Sequence, residues 1–374
     1  MTTHVAPTAR LQSLDAFRGL VIVLMLLVNS AGKDPAFPTW FPHRGWNDGA
    51  MGVGLADLVY PWFLFIAGVS IPFSISRGRG AALSPRRRIA AAAARAARLY
   101  LLGVLLVAAS VAYETPIGLS ILLRWDILQM IGWATLLATC AAHLPRTVQV
   151  ALVAATLAAK WAILTRCTMP GRDEVVWTAT ESLQAWIRAQ WSWIGTALTQ
   201  GLPAAAVALL GSIAGRDLLN AERSPHARNA LLIRGAVMTV CGMAWHALGD
   251  MPMSKDFFTS SYVLFAAGTA CLVLAAMHEA FDRRGLNAPA MLRHLGTNAI
   301  AIYVLAEFLW RTSLTRWLAT TPGGGSSTLF VAIKAWLSQF TTPTLGAWLI
   351  VASYVAVMWL AAASLHRRGW FIRA

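Results

Sequence analysis

Ten apolar runs, each of spanning length, divide this chain: 14–32, 55–76, 92–112, 122–142, 147–165, 199–219, 231–249, 258–280, 296–315 and 344–366. At 1.5 Å of rise per residue, about 20 helical residues cross the ~30 Å hydrocarbon core of a bilayer. Backbone polar groups must be satisfied internally there, so runs of this kind read as helices. The pattern predicts an all-α integral membrane protein, with about ten transmembrane helices in one bundle and residues 1–374 forming a single domain. An eleventh run, 327–340, is short for a span and carries Lys334.

Composition supports that class. Of 374 residues, 57% are hydrophobic and only 13% charged, against about 25% charged in soluble domains. The first run leads straight into polar sequence without a small-residue cleavage site, so the first helix is expected to be retained. The formal net charge of +15 does not argue for nucleic acid, because the basic residues follow the spans and form no patch interleaved with aromatics on a soluble face. Cys140, Cys167, Cys241 and Cys271 have no paired spacing. Neither a disulfide framework nor a zinc site is expected from them.

With the N-terminus cytoplasmic and ten spans, roughly two-thirds of the Lys and Arg residues fall on the inner side, including the Arg77–Arg98 loop and Arg367-Arg368. Counting 327–340 as a span would put that last cluster outside. The run is therefore read as an interfacial helix on the outer face. Both termini are then cytoplasmic. The largest outer loop, 166–198, holds Trp177, Trp186, Trp191 and Trp193. Indoles favour the headgroup layer, so it reads as an amphipathic interfacial helix, with a substrate-stacking platform as the other possibility. Residues 322–327 read as a flexible outer loop.

Polar residues near hydrocarbon are costly and call for a functional reason. They concentrate around the first two runs: Asp15, Arg18 and Asn29, then His43, Trp46-Asn47-Asp48, then Asp57. A histidine can take a proton from an amine or hydroxyl and return it to a leaving thiolate, or can itself be acylated. His43 is either such a group or a plain loop residue. Asp57 opens the second span, either as a helix cap or as the carboxylate that orients His43. Asp15 and Arg18 share a helix face, as an ion pair or with Arg18 turned toward an anionic ligand. Asn29 lies near the far end of the same helix and can donate to a carbonyl or a developing oxyanion. Arg124, Asp126 and Gln129 open the fourth span. Asn298 and Glu307 lie in the ninth, about 13 Å apart along the axis. His143, His278 and His294 read as interfacial residues.

The stretch Ser13-Leu14-Asp15-Ala16-Phe17-Arg18-Gly19, then Val28-Asn29, His43…Trp46-Asn47 and Asp57-Leu58-Val59-Tyr60-Pro61-Trp62-Phe63-Leu64-Phe65-Ile66 resembles the heparan-alpha-glucosaminide N-acetyltransferase family and its bacterial relatives. Weaker likenesses are Arg124…Ile127-Leu128-Gln129, Ser261-Tyr262-Val263, and Gly296 to Tyr303 with Glu307. The resemblance implies a membrane enzyme that takes acetyl from acetyl-CoA, a co-substrate, and delivers it across the bilayer to an amino sugar. It implies catalytic roles for His43, Asn29 and Asp57. The donor or acceptor would then meet Arg18, Trp46, Asn47, Arg124, Gln129, Asn298 and Glu307. It is compatible with a homodimer and leaves the oligomeric state open. No metal is expected, because a thioester is already activated, and no nucleic-acid partner, because the basic residues follow the spans. Arg18-x10-Asn29 is similar to the Arg-x10-His signature of wider membrane acyltransferases, with asparagine in place of histidine. One departure is the glycine-rich segment between Trp46 and Asp57, longer than in typical members. A sugar or amphiphile transporter, or an O-acyltransferase of a glycan, remains the alternative on sequence grounds.

Overall fold

The structure, a computed structural model, describes residues 11–32, 34–44, 52–77, 81–111, 118–178, 180–221, 225–249 and 251–372, without the side chains of 119, 120, 221 and 225–228. The motif residues Trp46, Asn47 and Asp48 lie outside the described residues. Fourteen α-helices follow in order: α1 (Gln12–Ala31), α2 (Leu55–Ser76), α3 (Pro85–Val111), α4 (Leu119–Leu122), α5 (Ile127–Ala141), α6 (Arg146–Arg166), α7 (Leu183–Thr196), α8 (Leu202–Ala221), α9 (Pro225–Leu248), α10 (Ser260–Met277), α11 (Ala290–Thr297), α12 (Ala299–Leu309), α13 (Leu329–Leu337) and α14 (Pro343–Arg367). One antiparallel hairpin, β1 (Leu318–Thr320) with β2 (Ser326–Thr328), is the sole sheet among the described residues.

Eight helical stretches among those residues are long and apolar enough to cross a bilayer: α1, α2, α3, α6, the α7–α8 path, α9, α10 and α14. The 15-residue α5 is a shorter apolar helix. α12 is prolonged by a π-helical turn, Trp310–Leu314. Burial sorts centre from rim. In α1, 72% of the apolar window is buried, against 22% in α3 and 17% in α9. α1 therefore sits inside the bundle, while α3 and α9 present most of their surface to lipid.

Lipid tails offer helices no hydrophobic reason to associate, so close backbone approach at small residues matters more here than in water. A Cβ on Gly68 of α2 would collide with the Ala208 carbonyl of α8, and one on Gly211 of α8 with the Phe65 carbonyl of α2. These contacts bring the backbones of α2 and α8 together. That leaves the face of α2 bearing Ala56, Val59, Tyr60 and Phe63 free to line the cavity described below.

Several limits differ from the sequence expectation. α3 begins at Pro85, well before residue 92, because its Ala- and Arg-rich first turns are strong helix formers even where Arg86 and Arg87 are exposed. α5 begins at Ile127 and not at 122, because the Asp126 side chain accepts from Ile127 N at 2.8 Å and caps it there. The ninth run is broken at Asn298 (φ −121°, ψ 30°), separating α11 from α12. Residues 322–325 form the turn of the β1–β2 hairpin in place of a flexible loop. Thr321 N donates to Gly325 O at 2.7 Å, and Gly324 adopts φ +81°, which glycine allows at no steric cost. The 327–340 run forms α13, flanked by that hairpin. The tryptophan-rich 166–198 segment contains α7, which kinks at Ser192 (φ +23°) and leads through a π-helical turn, Ala197–Gly201, into α8.

Candidate active site

His43 and Asp57 are brought together by the way the chain enters α2. Leu55 N donates to Trp40 O at 2.8 Å and Ala56 N to Phe41 O at 3.1 Å, which ties the 40–44 segment to the helix start. Asp57 occupies the third position of α2 and is fully buried. Its Oδ2 accepts from Gly54 N at 2.9 Å and from Arg44 N at 3.1 Å. Its Oδ1 lies 2.7 Å from His43 Nδ1. Such a carboxylate offers acceptors only, so His43 donates Nδ1–H to it and keeps a lone pair on Nε2. The imidazole itself stays 47% exposed. Pro61 lacks the N–H that would bond the Asp57 carbonyl four residues earlier. The buried Tyr262 hydroxyl of α10 donates to that carbonyl at 2.6 Å and fills the gap. The Pro61 break and its Tyr262 partner thus fix the backbone that carries Asp57.

Asn29, near the end of α1, points into the same region. Its Nδ2 donates to Glu307 Oε1 at 3.2 Å, from α12. Glu307 Oε2 accepts from Arg311 Nε at 2.8 Å, and Arg311 also pairs with Asp126 at 2.7 Å. A chain of charge-assisted bonds therefore holds the Asn29 amide in place and leaves its second N–H available.

Two cavities meet beside these groups. One is a narrow slot of about 60 Å³, mostly apolar, with Asn29 and His43 in its wall. It follows α1 from Asn29 down to Val21, about 12 Å at helical rise, toward the end of the bundle where Arg18 lies. The other is wide, about 430 Å³, with Arg124, Trp125, Asp126, Arg188, Gln200 and Asp256 in its wall. Tyr60, Ile127 and Lys255 border both. The Tyr60 hydroxyl, at this junction, and the Trp125 indole N–H, beside the wide cavity, are buried without a hydrogen-bond partner.

A family model described as heparan-alpha-glucosaminide N-acetyltransferase, catalytic, matches residues 10–248. The chain belongs to this family. Among curated relatives, the human heparan-alpha-glucosaminide N-acetyltransferase is 38% identical over 98 residues, which is 26% of this chain and 14% of the human protein. The mouse protein of the same name is 46% identical over 67 residues, 18% of this chain and 9% of its own length. The aligned stretches thus cover less than a sixth of either relative.

The region matched to the N-acetyltransferase family includes Arg18, Asn29, His43, Asp57, Arg124 and Gln129; Lys255, Asn298 and Glu307 fall beyond it. His43, Asn29, Asp57 and Glu307 gather at one end of the bundle, and Arg124 borders the wide cavity there. Gln129 is buried, reaches the Arg124 carbonyl at 3.5 Å and touches neither cavity. Arg18 lies below the slot, bonded to Asp15 at 2.9 Å and to Ser70 Oγ at 2.6 Å. Asn298 sits at the opposite end of α12, where its Oδ1 accepts from Ile372 N at 3.1 Å. It stands apart from the His43 cluster.

Sequence reasoning passed over Lys255 and Arg311. Lys255 Nζ lies 3.2 Å from His43 Nδ1. Burial lowers its pKa, and the nearby Asp57 and Asp256 carboxylates act against that fall. Its one available signal was a lone lysine beside an aspartate in a short apolar loop. Arg311 could have been found as the residue four positions after Glu307, on the same helix face.

Proposed function

We propose that this protein transfers an acetyl group from acetyl-CoA to the amine of an amino sugar at the His43 end of the bundle. The observation that carries the proposal is that His43 and Asn29 share one narrow slot, which opens into a wide pocket. The slot suits a thin thioester-bearing arm, and the pocket suits a sugar that can stack on Trp125 and bond the charged groups of the same wall.

At the junction, His43 Nε2 accepts a proton from the acceptor amine as its nitrogen attacks the thioester carbon. The Asn29 amide donates to the carbonyl oxygen as negative charge builds there. Collapse breaks the C–S bond, forms the amide, and passes the proton from His43 to the departing thiolate. Asp57 keeps the imidazole in the tautomer and direction this needs. The arginine-rich end of the bundle faces the cytoplasm in this reading, by the bias of basic residues, and admits the donor from there. The membrane is then the inner membrane of a bacterium, with both termini cytoplasmic.

The test is purified protein in detergent with acetyl-labelled acetyl-CoA and a panel of amino sugars. N-acetylated product, formed without any membrane gradient, is the expected result. Transport of a sugar in vesicles with no acetyl product would favour the carrier reading, and product only on hydroxyl acceptors the O-acyltransferase reading.

A further inference from the structure

Lys255 belongs to no motif discussed so far, yet its ammonium lies 3.2 Å from Nδ1 of the candidate base. It sits on the loop joining α9 to α10, and that loop is tightly determined. Met253 N donates to His246 Nδ1 at 3.1 Å, Ser254 N to Thr259 Oγ1 at 3.0 Å, and Thr259 N to Ser254 O at 3.2 Å. The Asp256 carbonyl accepts from Gln184 Nε2 at 3.2 Å and Gln200 Nε2 at 3.1 Å. Met251 and Phe257 are buried beneath it. Phe258 takes φ +53°, a left-handed conformation that costs a bulky side chain energy and survives only where the surroundings impose it. All of this holds one lysine over the rim shared by the two cavities.

We propose that Lys255 is a positioning residue for His43, whose positive charge opposes a second charge on the imidazole and so keeps it available as a base. The inference rests on the acetyl-transfer reading for its purpose but not for its test. The Asp57 carboxylate lies 2.7 Å from Nδ1 and the Lys255 ammonium 3.2 Å from the same atom, so charges of opposite sign face one ring nitrogen. Among the described residues, Asp256 is on the same loop, Arg188 of α7 lies close enough to Asp256 to feel its charge, Arg124 and Asp126 border the same wide cavity, and Arg44 adjoins His43 in the chain. Tyr60 of α2 and Tyr262 of α10 bring phenols, uncharged near neutral pH. Removing Lys255 therefore takes away the ammonium 3.2 Å from Nδ1 and leaves the Asp57 carboxylate 2.7 Å from it.

The experiment measures the pH dependence of carbethoxylation of His43 by diethyl pyrocarbonate, which attacks the unprotonated ring. Peptide mass spectrometry reads that site apart from the other histidines, in wild type and in Lys255→Met and Lys255→Arg. The midpoint is expected to rise by about one pH unit in Lys255→Met, the low end for a charge this close because the ring is half-exposed, and to return toward wild type in Lys255→Arg. An unchanged midpoint in Lys255→Met overturns the proposal. So does a reactivity loss equal at every pH, which marks a merely structural role. The acid limb of the acetyl-transfer rate is followed on the same preparations. A shifted carbethoxylation midpoint in a protein that transfers no acetyl would sustain the Lys255 inference and remove the acetyl-transfer reading alone.

Discussion

Asp57→Asn separates the orienting role of this carboxylate from its structural one. The substitution keeps shape and removes charge, and the geometry decides which way the new amide must face. Oδ2 accepts from two backbone N–H groups, Gly54 N at 2.9 Å and Arg44 N at 3.1 Å. An amide NH₂ placed there would meet two donors, so the Asn oxygen takes that side. Its NH₂ then faces His43 Nδ1, where Oδ1 stood at 2.7 Å. Nδ1 must now accept, the ring proton moves to Nε2, and the lone pair aimed at the acceptor is lost. The equivalent change in a serine-protease triad lowers turnover about 10⁴-fold through the wrong tautomer, roughly 5 kcal/mol at 1.36 kcal/mol per decade. The stability cost is smaller, about 1.5–3 kcal/mol for one charge-assisted bond. The assay is single-turnover acetyl transfer from labelled acetyl-CoA, with thermal melting and acetyl-CoA binding on the same preparation. A loss of three to four decades with donor binding retained is expected. Transfer within tenfold of wild type, in folded protein, would refute the tautomer argument.

Three further outcomes follow from the same geometry. Asn29→Ala removes the donor aimed at the developing oxyanion and should lower kcat by about 10²–10³ with the KM for acetyl-CoA little changed; steady-state kinetics showing a KM effect alone would contradict it. Arg311→Met leaves Glu307 and Asp126 without their shared cation, and at this depth should cost about 3 kcal/mol. Detergent melting should show it clearly, while Arg284→Met at an exposed pair should leave the midpoint unmoved. Tyr262→Phe strands the Asp57 carbonyl that Pro61 cannot serve, at about 1–3 kcal/mol, and should slow transfer through the displaced Asp57; an unaltered melt and rate would show that carbonyl to be satisfied otherwise.

Much of the fold was legible because lipid imposes a single rule: long apolar runs become helices. α1, α2, α6 and α14 begin and end within about three residues of their runs, inside the usual uncertainty of such limits. Hydropathy failed where something else sets the boundary. Alanine and arginine carry α3 out past the apolar span, Asp126 delays α5, and the Asn298 break splits the ninth run, none of which an apolar count can register. The candidate site divides along similar lines. His43, Asp57 and Asn29 stood out because each is costly near hydrocarbon, and the place of Asp57 at the start of the second span already suggested a cap. Partnerships between distant segments could not be read: Tyr262 on the Asp57 carbonyl, Glu307 on Asn29 and Lys255 beside His43 join residues more than 200 positions apart. Gln129 shows the opposite case, a polar residue in a suggestive position whose side chain packs against Gly103 and lines neither cavity.

The most direct measurement is acetyl transfer by His43→Ala beside wild type, using labelled acetyl-CoA, an amino-sugar acceptor that wild type uses, and donor binding by titration. Loss of the base predicts a fall of about 10²–10⁴ in turnover with acetyl-CoA still bound. Turnover near the wild-type rate would mean that the imidazole at the junction of the two cavities does not carry the chemistry.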